Sequence, residues 1–197
     1  MQDFVHLHVH TQYSILDGQA SIPRLVDKAM ADGMKGIAVT DHGDMFGIKE
    51  FFNYVNKKNS STNSEIKDLK KRIAGLEKGT VECENPEDEL AVCREQLEAA
   101  KKKLETAKKK LFKPIFGCEM YVARRRLFNK EGKPDQSGYH LVVLAKNEKG
   151  YHNLIKLVSK AWTEGFYMRP RTDRVELEKY HEGLIVCTAC IAGEVPR

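Results

Sequence analysis

The sequence lacks any apolar run long enough to cross a bilayer, and its first residues, MQDFVHLHVH, have neither a cationic start nor an apolar stretch. We therefore expect neither a membrane span nor a signal peptide. Cysteine is scarce, with five among 197 residues, which is too few for a disulfide framework in a chain of this size. Cys83 and Cys93 fall in a helical pattern, whereas Cys118, Cys187 and Cys190 fall in apolar, strand-like stretches. These absences predict a protein of the reducing cytoplasm.

A strong excess of one charge is also absent. The formal net charge is +5 and the sequence pI is about 8.8, which is compatible with a nucleic-acid partner but does not establish one. The chain is 41% hydrophobic and 31% charged. That balance is typical of a soluble globular protein with enough apolar side chains for a core.

What the chain does have is a histidine-rich stretch near its start, residues 4–18, FVHLHVHTQYSILDG. His6, His8 and His10 alternate with apolar residues, and this alternation predicts a strand with three imidazoles on one face. A lone histidine is most often a satisfied polar side chain. Three at a period of two, followed by Asp17 in a turn, favour metal binding over a merely polar strand face.

Alternating helix and strand patterns follow this stretch. Residues 21–35 predict an amphipathic helix with Ser21 as its N-cap, residues 36–40 a buried strand, and residues 46–56 a second helix. His42 comes just after the strand, where α/β folds place their chemistry. The order of elements predicts parallel strand pairing with right-handed crossovers.

The same rhythm resumes after a long interruption, from Pro114 onward. Glu119 is an acid within an apolar run, so we expect it to be paired or bound to a cation. His140 lies near the start of a later apolar strand. The predicted strands cover residues 115–122, 139–145 and 183–189, and the predicted helices cover residues 147–162, capped by Asn147, and 175–180.

The interruption, residues 57–112, has a helical pattern of its own. Its apolar residues recur at spacings of three and four, which is the seam of a coiled coil. Asn85 and Pro86 predict a helix start, and residues 79–84 predict a turn. The lysines at 101–103 and 108–110 could contact DNA, but interleaved acids favour an ordinary solvated face. We predict an antiparallel two-helix coiled-coil hairpin inserted in the domain, with a seam of Ile66, Leu69, Ile73, Leu76, Leu90, Cys93, Leu97, Ala100, Leu104, Ala107 and Leu111.

Several candidate metal ligands fall on predicted strands or at strand ends. Strand ends converge in barrels and doubly wound sheets, so we expect these side chains to meet. Their mixed nitrogen, oxygen and sulfur donors suit zinc, manganese or iron, and more than four ligands imply more than one ion. Multi-metal sites of this kind hydrolyse phosphate esters. The candidates are His8, His10, Asp17, His42, Glu119, His140 and Cys190.

The chain resembles the PHP (polymerase and histidinol phosphatase) domain family in six ordered motifs: HLHVHTQYSILDG, TDHGDMFG, IFGCEMYV, YHLVVLAKN, GFYMRPR and CIAGEVPR. More narrowly, it resembles the N-terminal PHP domain of bacterial DNA polymerase III alpha subunits of the DnaE type. The resemblance covers nearly the whole chain except residues 57–112. It implies an α/β fold of the distorted, TIM-like (β/α)7 barrel kind, a role in DNA replication, and up to three divalent metals, zinc or manganese, at the C-terminal ends of the strands.

The first motifs of the resemblance carry the family's HxH and TDH patterns. His8 and His10 match the former, Asp17 matches its acid, and His42 matches the histidine of the latter. His6 falls where many PHP proteins carry Asp, and we do not count it as a ligand. These residues would act in catalysis through the metals they hold.

The later motifs supply the remaining ligands. Glu119 matches the bridging acid and His140 the next histidine, while Cys190 occupies a position that is often His in other PHP proteins. The family's last motif, an Asp-x-His, would lie beyond Arg197. Without residues 57–112 the chain is shorter than the roughly 200 residues of a full barrel. We therefore expect residues 1–197 to be a PHP domain truncated at its C-terminal end, part of a longer polymerase and nearly inactive alone.

Three functions follow from the resemblance. The first is a metal-dependent phosphoesterase acting as a 3′–5′ exonuclease within a DNA-directed DNA polymerase, a nucleotidyltransferase. The second is a metal-bound structural domain that docks other polymerase subunits. The third, a free-standing phosphatase for a small phosphate ester, is disfavoured by the polymerase-type stretches TQYSILDG and CIAGEVPR. The expected partners are the primer 3′ end of DNA, the other replicative subunits and the rest of the polymerase chain, without a membrane.

Overall fold

The computed structural model describes residues 4–78 and 86–195, and for residues 86–91 it describes the backbone alone. The described residues form two compact units. The first, which we call the α/β unit, comprises the chain up to Tyr54 and from Lys113 onward. The second, which we call the helical unit, is Val55–Phe112.

Helices and strands alternate along most of the chain. Among the described residues, no helix combines the length and the apolar character that a bilayer span requires, and the four cysteines present there, Cys93, Cys118, Cys187 and Cys190, are free thiols. The elements are α1 (Ile22–Ala31), β1 (Gly36–Val39), α2 (Ile48–Lys58), α3 (Ser60–Glu77), α4 (Pro86–Lys110), β2 (Lys113–Val122), a 3₁₀ turn (Lys133–Asp135), β3 (Tyr139–Ala145), α5 (Glu148–Thr163), β4 (Arg171–Thr172), α6 (Arg174–Lys179) and β5 (Leu184–Cys187).

α1 and α5 begin at the residues predicted as their N-caps, but only Asn147 makes a capping hydrogen bond and the Ser21 side chain makes none. Ser21 precedes α1 in an extended conformation, and Gly33, just past its end, has φ of 77°, which is the left-handed conformation that favours glycine. Asn147 caps α5, because its side-chain oxygen accepts a hydrogen bond from the Gly150 N–H at 2.9 Å. The predicted helices over residues 21–35 and 147–162 are therefore confirmed, with shorter bounds for the first.

One sheet connects the strands in the order β1-β2-β3-β5, and β4 also pairs with β2. β1 runs parallel to β2, with Gly36 opposite Lys113, as predicted. β3 runs antiparallel to both β2 and β5, so the prediction of parallel pairing throughout is wrong. The physical reason is the connection: residues 123–138 contain a 3₁₀ turn but no crossover helix, and a parallel pair needs such a crossover.

The predicted strand over residues 4–10 is also wrong. The segment pairs with β1 through two hydrogen bonds, from the Ala38 N–H to the His6 oxygen and from the Thr40 N–H to the Val9 oxygen, both 2.9 Å. From one hydrogen bond to the next, the N-terminal segment advances three positions, His6 to Val9, whereas the other strand advances two, Ala38 to Thr40. A bend at positions 7–8 breaks the alternation of side chains. The extra residue has the effect of a bulge, which re-aims the side chains beside it.

The core lies where α5 packs on β2 and β3. One apolar cluster joins buried side chains of these three elements, and burial of such apolar surface is the main source of stability. A fully buried arginine, Arg171, organises the loops above this core. Its guanidinium donates to the backbone oxygens of Gly165, Leu127, Asn129 and Asp135 at 2.7–3.1 Å. These hydrogen bonds satisfy backbone oxygens in segments that lie outside the strands of the sheet.

The helical unit contains α3 and α4. Asn59 joins its two ends, since its side chain accepts from the Phe112 N–H and donates to the Phe112 oxygen. Glu77, at the other end of α3, lies 3.7 Å from the Lys101 ammonium. The seam residues Ile66, Leu69, Ile73, Leu76, Cys93, Leu97, Ala100, Leu104, Ala107 and Leu111 are all buried or half-buried. Cys83, Asn85, the predicted turn at 79–84 and the side chain of Leu90 lie outside the described residues.

Candidate metal centre

The carboxylate of Glu119 is the point on which the predicted ligands converge. Glu119 lies inside β2 and only 1% of it is exposed. One of its oxygens, Oε2, lies 3.0 Å from His8 Nε2, 3.1 Å from His10 Nε2 and 3.1 Å from His42 Nδ1. The other, Oε1, accepts a hydrogen bond from His140 Nδ1 at 2.8 Å. Four imidazoles from three segments of the chain thus surround one buried acid.

The fold explains how these segments meet. His42 lies three residues past the end of β1 and forms a parallel bridge with Glu119 in β2, while His140 lies at the start of the neighbouring strand β3. The bulge-like step in the N-terminal segment leaves His8 and His10 on the side of Glu119, with their Nε2 atoms 3.1 Å apart. The His6 ring instead packs edge-on against Phe4 at 4.7 Å, as expected for a residue outside the ligand set.

Two polar atoms at this centre are buried without a hydrogen-bond partner: Glu119 Oε2 and His42 Nδ1, which face each other across 3.1 Å. The opposite ring nitrogen of His42, Nε2, donates to Asp17 Oδ2 at 2.8 Å, so in the neutral ring Nδ1 presents a lone pair. A lone pair held against a carboxylate oxygen in a buried site is unfavourable unless a cation compensates both. The donor set therefore fits a divalent metal.

Three overlapping groups of side chains bring their ligand atoms within 4.8 Å of one another. Because the groups share His10, His42 and Glu119, ions held in them would be neighbours joined by common ligands, as in multi-metal hydrolases. The three groups are His8 with His10 and Glu119, His10 with Asp17 and His42, and His42 with Glu119 and His140.

Cys190 lies beside the centre without belonging to any of these groups. Its Sγ is 3.6 Å from His140 Nδ1 and 3.9 Å from Glu119 Oε1. Its neighbour Ala189 has φ of 49°, a conformation that costs energy for a residue with a side chain. The turn after β5 thus brings the thiol to the edge of the ligand set, so all seven predicted site residues come into one region.

The charges of the centre depend on one another. Burial opposes ionisation of Glu119, but its contacts with His10, His140 and His8 hold the pKa of this carboxyl well below its usual range. In return, the carboxylate of Glu119, 3.1 Å from the His10 ring nitrogen, raises the pKa of His10 against the opposite effect of burial. An ionised carboxylate amid imidazoles is the arrangement that a divalent cation requires.

A second buried acid, Asp41, was missed from the sequence. Its carboxylate accepts from the Thr11 N–H at 2.6 Å, the Thr11 hydroxyl at 2.8 Å and the Ser14 hydroxyl at 3.0 Å. Ser14 Oγ in turn lies 3.2 Å from His10 Nδ1. Such outer partners fix the orientation of metal-binding imidazoles. The position of Asp41, an acid between an apolar strand and a histidine, was the available signal.

Gly43 links the centre to the surrounding loops. Its N–H donates to the Glu119 backbone oxygen at 2.9 Å, and its own oxygen accepts from the Trp162 indole at 2.8 Å. Its φ is 67°, and a Cβ there would lie 2.6 Å from the Pro170 ring. Only glycine fits this position.

A cleft of about 460 Å³ opens beside the ligands His42, His140 and Asp17. Tyr121 and Arg169 also line it, with the guanidinium carbon 5.6 Å from the centre of the Tyr121 ring. Burial raises the pKa of another lining residue, Asp44, to about 6. A larger cavity of about 650 Å³ elsewhere in the α/β unit contains none of the predicted site residues. Three of the predicted site residues therefore border the smaller cleft.

Known proteins resemble this chain over nearly its whole length. The chain is 40% identical over 197 residues to the DNA polymerase III subunit alpha of Borreliella burgdorferi, 36% identical over 194 residues to that of Treponema pallidum and 33% identical over 198 residues to that of Aquifex aeolicus. Each match covers 98% of this chain but only 12–13% of the relative, so the chain spans about one eighth of their length. The family model described as the PHP domain matches residues 6–99 and 88–197. The chain therefore belongs to the PHP domain family.

Proposed function

We propose that this chain is the PHP part of a replicative DNA polymerase and holds a multi-metal phosphoesterase site for 3′–5′ exonuclease chemistry. One observation carries the proposal: the buried Glu119 carboxylate has an oxygen without a hydrogen-bond partner, beside three imidazole nitrogens at 3.0–3.1 Å. Nitrogen and oxygen donors at this spacing suit zinc or manganese, which we propose as the cofactors, up to three ions in the intact site.

In this proposal His8, His10, Asp17, His42, Glu119, His140 and Cys190 hold the metals. Bound divalent ions would supply a hydroxide at neutral pH and polarise the phosphoryl oxygens. Glu119, whose two carboxylate oxygens contact different histidines, would be one of the ligands shared between ions, and Asp41 positions His10 through Ser14. Arg169 in the cleft can pair with a phosphate of the substrate strand, because a guanidinium matches phosphate geometry.

The relatives extend this proposal to the whole protein. They are polymerase subunits, so we propose that the chain works in the cytoplasm with DNA at a primer 3′ end, the rest of the polymerase and its other subunits. We also propose that the sheet of the α/β unit forms part of a distorted, TIM-like (β/α)7 barrel. Residues 57–112 would be an antiparallel coiled-coil hairpin inserted in that domain.

A strand-degradation assay tests the activity. The substrate is a labelled single-stranded oligonucleotide, and the proteins are this chain, a protein of the relatives' full length that contains it, and the latter with His42→Ala. We expect manganese- or zinc-dependent release of 3′ nucleotides by the long protein, loss with His42→Ala, and little activity of the 197-residue chain. A displacement of about 1 Å at such a site can cost on the order of a hundredfold in rate.

The assay also decides between enzyme and structural domain. If the long protein binds metal but leaves the strand intact, the site serves stability or the docking of other subunits instead. His152→Ala is the matched control, because His152 is an exposed histidine on α5, outside the ligand groups.

A further inference from the structure

Exposed aromatic side chains line the same cleft as the metal ligands. Phe46 and Phe166 are 64% and 46% exposed, and the half-exposed Trp162 lies between them. The Trp162 and Phe166 rings stack at 5.6 Å with an angle of 20° between their planes, and Phe46 lies 6.0 Å from Trp162. All three line the cleft with His42 and His140. Large apolar side chains gathered in one exposed place mark a binding surface.

Hydrogen bonds connect the aromatic residue Trp162 to the backbone of the metal centre. Trp162 donates its indole N–H to the Gly43 oxygen, and the Gly43 N–H bonds to the Glu119 backbone. Tyr121 also lines the cleft, where its ring stacks on the His42 ring at 5.9 Å and lies 5.6 Å from the guanidinium carbon of Arg169. A ligand on the aromatic rings would therefore have a defined position relative to Glu119.

The loop that carries Phe166 and Arg169 is also held in place. Arg171, fully buried, donates to the Gly165 oxygen at 3.1 Å, and the Tyr167 N–H donates to the Arg169 oxygen at 3.1 Å. Between Tyr167 and Arg169, Met168 adopts a φ of 63°, a strained conformation that persists only where the surrounding structure imposes it. The rings are thus presented without a large ordering cost on binding.

We propose that Phe46, Trp162 and Phe166 form a stacking platform for the unpaired bases of single-stranded DNA whose backbone enters the metal cleft. This inference rests on the proposed function and names how its substrate is held. Aromatic faces stack on any base without reading sequence, and an exonuclease site needs that tolerance. The cation Arg169 in the same cleft suits the phosphate between stacked bases. A duplex would keep its bases inside and bind less well.

Trp162 makes the platform directly observable, because it is the single tryptophan of the chain. The probe is an eight-nucleotide thymidine strand with phosphorothioate linkages, which resist hydrolysis, titrated into the 197-residue chain with manganese while tryptophan fluorescence is recorded. We expect saturable quenching. An abasic strand of the same length and charge should leave the fluorescence nearly unchanged, because it offers phosphates but no bases to stack.

Single substitutions distinguish the loss of base stacking from a general loss of folded structure. Phe166→Leu and Phe46→Leu should each raise the titration midpoint about tenfold, since one base stack is lost. Phe128→Leu is the matched control: Phe128 is 57% exposed and lies outside the cleft, so its midpoint should match that of the parent.

The outcomes are distinguishable from those of the strand-degradation assay. Quenching without hydrolysis would keep the platform and reject the chemistry. Hydrolysis by the long protein without quenching here would keep the chemistry and overturn the platform. Equal quenching by the abasic strand, or no quenching by either strand, would also overturn it, and the exposed rings would then be a surface for another protein.

Discussion

The two units of this chain differ in where along the sequence their stabilising partners lie. In the helical unit the buried or half-buried side chains repeat every three or four residues along α3 and α4, so a local pattern specifies the packing. In the α/β unit Glu119 meets His8, His42 and His140, which come from three distant segments. A local pattern can suggest these ligands but cannot by itself bring them together.

The units also differ in what they bury. Among the described residues of the helical unit, Asn59 is the one buried polar residue, beside apolar ones such as Leu76. The α/β unit buries Asp41, Glu119 and Arg171. Buried charges cost free energy unless they are paired or bound to a cation. The α/β unit therefore contains buried charged groups that cost free energy, as expected for a protein region with a functional site. The described part of the helical unit contains no buried charged residue.

The largest change that tests this comparison is deletion of the helical unit. We expect that replacing residues 57–112 by a short Gly/Ser bridge leaves the α/β unit folded, because the seam side chains satisfy one another and closing a loop costs little. Thermal unfolding followed by near-ultraviolet circular dichroism checks this, and metal binding should also persist. Loss of the cooperative transition would mean that residues 57–112 contribute an indispensable part of the core.

Among single substitutions, Arg171→Met should have the largest effect on stability. The substitution leaves buried backbone oxygens of Gly165, Leu127, Asn129 and Asp135 without their donor, which should lower the free energy of unfolding by about 3–5 kcal/mol. Arg174→Met is the control, because Arg174 is mostly exposed and its ion pair with Glu194 is on the surface; such pairs contribute about 0–1 kcal/mol. Urea unfolding of both variants measures the difference, and similar costs would refute the structural role of Arg171.

A smaller effect is expected in the helical unit. Leu76→Ala removes a seam side chain that is 8% exposed, at a cost of about 2–3 kcal/mol in the stability of this unit. Val92→Ala, on α4 but 49% exposed, should change it by about 0.5 kcal/mol or less. Urea unfolding followed by helical circular dichroism compares them. If the two variants were equally stable, the helices would not pack along the predicted seam.

The same contrast explains what the sequence could and could not predict. α1, α5 and β3 were predicted because caps and apolar periodicity are local properties, and β3 was predicted with its observed bounds, Tyr139–Ala145. The strand over residues 4–10 was wrong because a step in its pairing with β1 overrides the alternation. The antiparallel direction of β3 depends on the length and content of the loop before it, which periodicity does not encode.

The candidate site shows the same limit. Strand-end positions and motif resemblance selected the residues that now surround Glu119, but Asp41 and Arg169 were missed because their partners are remote in sequence. Asp41 binds Thr11 and Ser14, and Arg169 lies over Tyr121. Neither contact produces a periodic pattern in the sequence.

The measurement that tests the central claim most directly is the metal content of the protein purified without chelator and then dialysed against zinc or manganese. Mass spectrometry of the elements should find a bound divalent metal, zinc, manganese or iron, in the parent chain. Glu119→Gln should lower the affinity at least about tenfold, and the paired change His8→Ala with His10→Ala should lower it as well. His152→Ala, at an exposed histidine on α5, should keep the parent's content. Equal metal in Glu119→Gln and the parent, or none in the parent, would contradict the account.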